Sequence, residues 1–246
     1  SKLKKNLIKL QSKHRNIDWE KFKKVSNKSF LQDYPLNPFL DKDLYEIIFA
    51  NEVLGRVIDY LGEVPILYKA SFWNSPNKEI VNGTSQFFHI DGEGLQQVRV
   101  IFPLEELKTE NGPFTCIDIK KTEEIQNRLF NNKIIRTRSD RVSDIEIPEK
   151  IWNECTGNLG DMFMVDTNKC YHFGSRPKSN KKVSPRVMLS LQFITHTCAE
   201  VPTFFRSQTY KSKKLEDLVI GQINSKKLWL WKKGRWKYYN DTDFSK

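Results

Sequence analysis

The sequence predicts a single, mainly β domain with helices flanking the strands, and three observations carry that expectation. A chain of 246 residues that is 38% hydrophobic and 12% aromatic can bury one substantial core. Residues 1–62 carry helix-capping signals. From residue 63 the pattern changes to short apolar runs bounded by turn residues, the signature of strands. We therefore expect a helical part over 1–62, a strand-built core over 63–197 with a candidate lid at 121–155, and a C-terminal extension over 198–246.

In order along the chain, Asp18 can cap a segment containing Trp19, Phe22 and Val25. Pro35 and Pro38 interrupt before Asp41 caps a pair of helices across 44–60, with Gly62 closing the second. Such helices would pack on the outside of a barrel. The β-rich run 66–73 opens the core, and strands are expected at 84–91, 96–102, 114–119, 161–165 and 186–194. Between the third and fourth of these lies a helical piece, 122–130, and then a polar stretch, 131–150, with Arg136, Arg138 and Arg141. Long loops in compact domains tend to serve function, and these arginines could meet an anionic substrate; a solvated surface loop is the plainer account. The run 228–239 predicts a hairpin turning at Lys233-Gly234. Its aromatics could stack on bases or sugars, but packing the hairpin onto the barrel is the commoner use.

Composition excludes some classes. There is no apolar run long enough to span a bilayer, and the basic residues of the N-terminus are mixed through its apolar ones, which argues against secretion. Cys116, Cys155, Cys170 and Cys198 show no Cys-x-x-Cys spacing, so reduced thiols in a cytoplasm are expected over disulfides or zinc. The net charge of +11 admits a nucleic-acid partner. Against that, lysines far outnumber arginines and are scattered among asparagines, and no nucleic-acid-binding motif accompanies them. A basic surface attracts an anionic small molecule equally well.

The residues that carry chemistry are few. His89 and Asp91 stand two apart in Gln86-Phe87-Phe88-His89-Ile90-Asp91, so on a strand an imidazole and a carboxylate would point to one side. A His-x-Asp triplet alone is common in proteins that bind no metal. Here the chain has only four histidines, His14, His89, His172 and His196, and His172 follows a glycine turn and an apolar strand beginning at Gly160-Asp161. His172 would complete the two-histidine, one-carboxylate face that holds Fe(II) and leaves positions open for a cosubstrate and O₂. Beyond it, Arg186 heads the strand 186–194, with Met188 and Ser190 as its inward neighbours. Its planar fork suits the distal carboxylate of 2-oxoglutarate. Arg176 competes for that role, and Lys69 is a further candidate for a cosubstrate carboxylate. His196 ends the Arg186 strand and needs no special role.

Taken in order, Tyr60-Leu61-Gly62-Glu63-Val64-Pro65, His89-x-Asp91, Glu110-Asn111-Gly112-Pro113-Phe114, Gly160-Asp161, His172 and Pro185-Arg186 resemble the phytanoyl-CoA dioxygenase-like branch of the Fe(II)/2-oxoglutarate-dependent oxygenases. The resemblance covers roughly residues 40–197. It implies a double-stranded β-helix, or jelly roll, with iron on His89, Asp91 and His172 and the cosubstrate C5 carboxylate on Arg186. Two departures stand out: Thr115-Cys116-Ile117 follows the Asn-Gly-Pro segment where the family often has Pro-Gly-Ser-His, and the gap from His172 to Arg186 is longer than usual. The implied activity is hydroxylation of a small molecule, possession of Asp91 setting the chain apart from related halogenases. The alternatives are a nucleic-acid-directed oxygenase and a non-catalytic binding protein on the same fold. Nothing in the sequence identifies the substrate or the oligomeric state.

Overall fold

The structure, a computed structural model, describes residues 1–20, 31–38, 40–75, 84–91, 96–130, 147–174, 176 and 184–195, with the backbone of 227–232 and 235–240. Helix α1 (Lys2–Arg15) forms because Leu3, Leu7, Leu10 and His14 recur at helical spacing, and the Ser1 hydroxyl caps it by accepting from the Lys4 amide. Asp41 caps α2 (Lys42–Ile48) by accepting from the amides of Asp43 and Leu44. After one π-turn at Asn51–Gly55, α3 (Arg56–Leu61) ends on Gly62, whose φ of 75° is a left-handed conformation that glycine adopts without strain.

These helices cover one face of a five-stranded antiparallel sheet. Its strands are β1 (Gln32–Pro35), β2 (Ile66–Ser75), β3 (Gln97–Pro103), β6 (Phe163–Val165) and β8 (Arg186–Ile194), in the order β1-β2-β8-β3-β6. The strand period of two sorts the side chains. Phe72, Val98, Val100, Phe102, Leu189, Leu191 and Phe193 meet Leu7, Leu10, Leu44 and Ile47 of the helices in one buried core. Arg186, Met188, Ser190 and Gln192 alternate with them and face the other way. There a second antiparallel sheet, β4 (Thr115–Cys116), β5 (Asn153–Glu154) and β7 (His172–Phe173), packs through Phe114 and Cys155 against Trp73, Ile101 and Met188. Two facing antiparallel sheets with helices outside make a jelly roll, as expected.

Several elements differ from expectation. The segment 31–38 is the edge strand β1 rather than a break between helices; Pro35 ends it, where a missing N–H is tolerated. No continuous strand spans 84–91: Thr84–Gln86 is a 3₁₀ turn, and His89 meets the second sheet through an isolated bridge to His172. The strand expected over 114–119 is only the two residues of β4, because helix α4 (Ile119–Phe130) begins early, with the Asp118 side chain accepting from the Lys121 amide. The hairpin does form, as β9 (Lys227–Lys232) paired with β10 (Arg235–Asn240). Phe22, Val25, the arginines at 136–141, His196 and Cys198 lie outside the described residues.

Candidate metal centre

The His-x-Asp segment is pinned from both sides by main-chain hydrogen bonds. His89 and His172 exchange both of theirs, at 3.1 and 3.0 Å. The Asp91 amide donates to the Thr167 carbonyl (2.8 Å), and the Asn168 side chain donates to the Asp91 carbonyl (2.9 Å). Asp166 builds that turn by accepting from the amides of Asn168 and Lys169, and its other oxygen accepts from the Tyr60 hydroxyl. Two distant stretches of sequence are thereby brought together although neither is a long strand.

Three buried side chains converge there. His89 Nε2 lies 3.7 Å and His172 Nε2 3.6 Å from the same oxygen, Asp91 Oδ1. A metal ion could be held by this group. The tautomers follow from the other ring nitrogens. His89 Nδ1 is 2.8 Å from the Phe87 carbonyl and His172 Nδ1 3.0 Å from the Cys170 carbonyl. A carbonyl only accepts, so each Nδ1 carries a proton and it is Nε2 that each ring turns toward Asp91, as a donor when the ring is protonated and as a metal-ligating lone pair when it is neutral. Phe114, next to the Asn-Gly-Pro segment, stacks on His172 at 5.2 Å. Burial alone would raise the Asp91 carboxyl. The charges of His172, Arg99 and His89 and a hydrogen bond with His172 outweigh it and hold the group well below the usual carboxylate range.

Arg186 is fully buried on the same inward face. Its Nη1 donates to the Gly112 carbonyl (3.0 Å) and its Nη2 to Ser75 Oγ (2.9 Å). The Asn-Gly-Pro segment explains the first contact: Gly112 turns at a φ of 64°, while Asn111 caps the Lys108 amide and donates to the Ser184 carbonyl just ahead of Arg186. Gly174 is also needed, since a Cβ there would stand 3.0 Å from Nη1. Burial pushes the Arg186 pKa down to about 10, which still leaves a cation at neutral pH.

Arg176 and Lys69 make other contacts. Arg176 lies 3.8 Å over the Phe173 ring and hydrogen-bonds the Gln86 carbonyl. Phe173 neighbours His172 on a strand and so points to the opposite face. Lys69 is on β2 and forms an ion pair with Asp33. Cys116, Cys155 and Cys170 are unbridged, and burial pushes the Cys170 thiol up to about 12.

Sequence reasoning missed Arg99. This buried residue of β3 donates from Nη2 to Asp91 Oδ2 (3.2 Å) and Gln192 Oε1 (3.0 Å), and from Nη1 to Ser190 Oγ (3.3 Å). The available signal was a charge in the middle of the otherwise apolar run Val98-Arg99-Val100-Ile101-Phe102.

No family model and no curated protein sequence matches the chain. Solved structures do resemble it in fold. The chain is similar to HygX from Streptomyces hygroscopicus with nickel and 2-oxoglutarate bound, at 13% identity and a TM-score of 0.50 over 82% of this chain and 80% of that one. It is similar to EctD from S. alaskensis in its apoform, at 15% identity and 0.50 over 81% and 75%. It is also similar to apo ThoJ, a non-heme monooxygenase, at 13% identity and 0.51 over 80% and 70%. At these identities the likeness is one of fold, the jelly roll.

Proposed function

We propose that the chain is an Fe(II)- and 2-oxoglutarate-dependent oxygenase that hydroxylates a small molecule, with His89, Asp91 and His172 as metal ligands and Arg186 as the anchor of the 2-oxoglutarate C5 carboxylate. The observation that carries this is the convergence of two tautomer-locked Nε2 atoms on one Asp91 oxygen. Fold likeness to HygX, matched in a form holding nickel and 2-oxoglutarate, and to the monooxygenase ThoJ adds to it. The order of the motifs favours the phytanoyl-CoA dioxygenase-like branch.

The residues present fit the missing groups. Two Nε2 atoms gathered beside one carboxylate oxygen call for positive charge among them, a proton on a ring or a metal ion in its place. Ser71 Oγ and Trp73 Nε1, both buried on the inward face of β2, have no hydrogen-bond partner among the described residues and are polar groups a bound cosubstrate can use. When bound, Fe(II) supplies O₂ activation coupled to decarboxylation of 2-oxoglutarate, so that substrate C–H becomes C–OH with release of succinate and CO₂. The protein supplies the rest. The main-chain carbonyls hold the imidazole protons on Nδ1, and the depressed carboxyl of Asp91 stays ionised as a ligand at neutral pH. Arg186 offers a buried, permanently charged fork, and Trp73, Ile101, Phe114, Val165 and Met188 form the apolar packing between the sheets that keeps water out. Arg186 rather than Arg176 or Lys69 carries the anchoring role, because Arg176 packs on Phe173 on the face opposite His172 and Lys69, though on the inward face of β2, is paired with Asp33. Asp91 fills the ligand position a halide would require, which favours hydroxylation.

The test is succinate release from 2-oxoglutarate by the purified chain, given Fe(II), O₂ and a panel of small molecules. Release that needs Fe(II) and vanishes in His172→Ala is expected. A wild-type chain that binds no metal and forms no succinate with any of them would contradict the proposal.

A further inference from the structure

A guanidinium inside a protein is costly unless it is paired. Arg99 is 7% exposed, and its charge is met by Asp91 Oδ2 at 3.2 Å. Its geometry is fixed from two neighbouring strands: Gln192 and Ser190 of β8 accept from its two Nη atoms, and Trp73 of β2 lies beneath its plane at 4.9 Å. Gln192 is itself held, its Nε2 donating to Gln97 Oε1 at 2.7 Å. The two oxygens of Asp91 consequently have different neighbours. Oδ2 accepts from Arg99, and Oδ1 lies 3.7 and 3.6 Å from the two imidazole Nε2 atoms.

We propose that Arg99 is a positioning residue of the metal centre: by holding Asp91 Oδ2 it confines the carboxylate to binding through Oδ1. The inference rests on the assignment of His89, Asp91 and His172 as metal ligands. A carboxylate binds metals through one oxygen or both. On an octahedral ion three single-atom protein ligands leave a face for a chelating 2-oxo acid and O₂, whereas a chelating Asp91 would take one of those positions. Arg99 keeps that face open.

Titration of the metal-free protein with Co(II), followed by its visible ligand-field spectrum and then by addition of 2-oxoglutarate, tests this without turnover. Arg99→Met, which keeps an unbranched apolar stem but no charge or donor, should weaken Co(II) binding roughly 10–100-fold, the effect usual for a lost outer-sphere partner. It should also alter the Co(II) spectrum and blunt the response to 2-oxoglutarate. Arg99→Lys, which keeps a donor for Oδ2, should recover most of the affinity and the wild-type spectrum. Far-UV circular dichroism checks the fold, and if Arg99→Met does not fold, the neutral but polar Arg99→Gln replaces it in the comparison. Arg99→Met indistinguishable from wild type, or Arg99→Lys as impaired as Arg99→Met, would overturn the role of Arg99 while leaving the metal site standing. A wild-type protein that binds no Co(II) would overturn the metal assignment itself.

Discussion

At the scale of single residues, the two arginines after His172 differ in what surrounds them. Arg186 is buried between Gly112, Ser75 and Gly174, whereas Arg176 lies over the buried ring of Phe173, on the face of β7 opposite His172. Arg186→Lys keeps the charge but loses the fork, and a lost charge-assisted hydrogen bond costs about 1.5–3 kcal/mol. The 2-oxoglutarate concentration for half-maximal succinate release should rise roughly tenfold or more, with iron binding little changed. Arg176→Lys should leave that concentration where it was; the reverse pattern would exchange the two assignments. The candidate ligands were legible in the sequence because metal chemistry restricts the residue types and histidines are scarce here. Arg99 and Asn168 were not. What each of them touches depends on which way a strand faces and how a turn closes, and both are settled only by the packing of the two sheets.

At the scale of elements, the turn over 166–169 and helix α1 each make a separate demand. The Asn168 side chain donates to the Asp91 carbonyl inside the protein, so Asn168→Ala leaves a buried acceptor without that donor. A stability loss of about 1–3 kcal/mol is expected, read as a lower denaturant midpoint with an unchanged slope. An unchanged midpoint would show that the carbonyl does not need it. In α1, His14 is buried against Trp19 and Phe72, and burial lowers its pKa from 6.5 to about 4. The folded state therefore holds it neutral while the unfolded chain protonates it. That contribution to stability is complete above about pH 6.5 and is lost as the pH falls through about 4. Replacement by leucine should flatten the fall in Tm over this window; an equally steep fall would assign the acid sensitivity to other groups. The helix caps at Asp41 and Gly62 and the strand at 186–194 were plain in the sequence, since caps and long apolar alternation are local signals. The segment 84–91 was misleading: its β-like composition serves an isolated bridge between His89 and His172 and single main-chain bonds to Gly174 and Thr167, not a continuous strand.

At the scale of the whole molecule, the +11 charge and the buried centre pull the functional argument in one direction only if the substrate is an anion. Exposed charges are screened over about 8 Å at physiological ionic strength. For an anionic substrate, kcat/KM should then fall as salt rises, and a flat response would leave the lysines a role in solubility alone. The jelly roll itself follows from alternation within β2, β3 and β8, each apolar toward the helices and mixed toward the second sheet. No helix among the described residues is long and apolar enough to cross a membrane. Whether the two imidazoles and one carboxylate form a single metal site is read from anaerobic Fe(II) binding by wild type and His172→Ala, with far-UV circular dichroism on both. One Fe(II) per wild-type chain is expected, and its loss from the variant with the fold retained. Full Fe(II) occupancy in a folded His172→Ala protein would contradict that assignment.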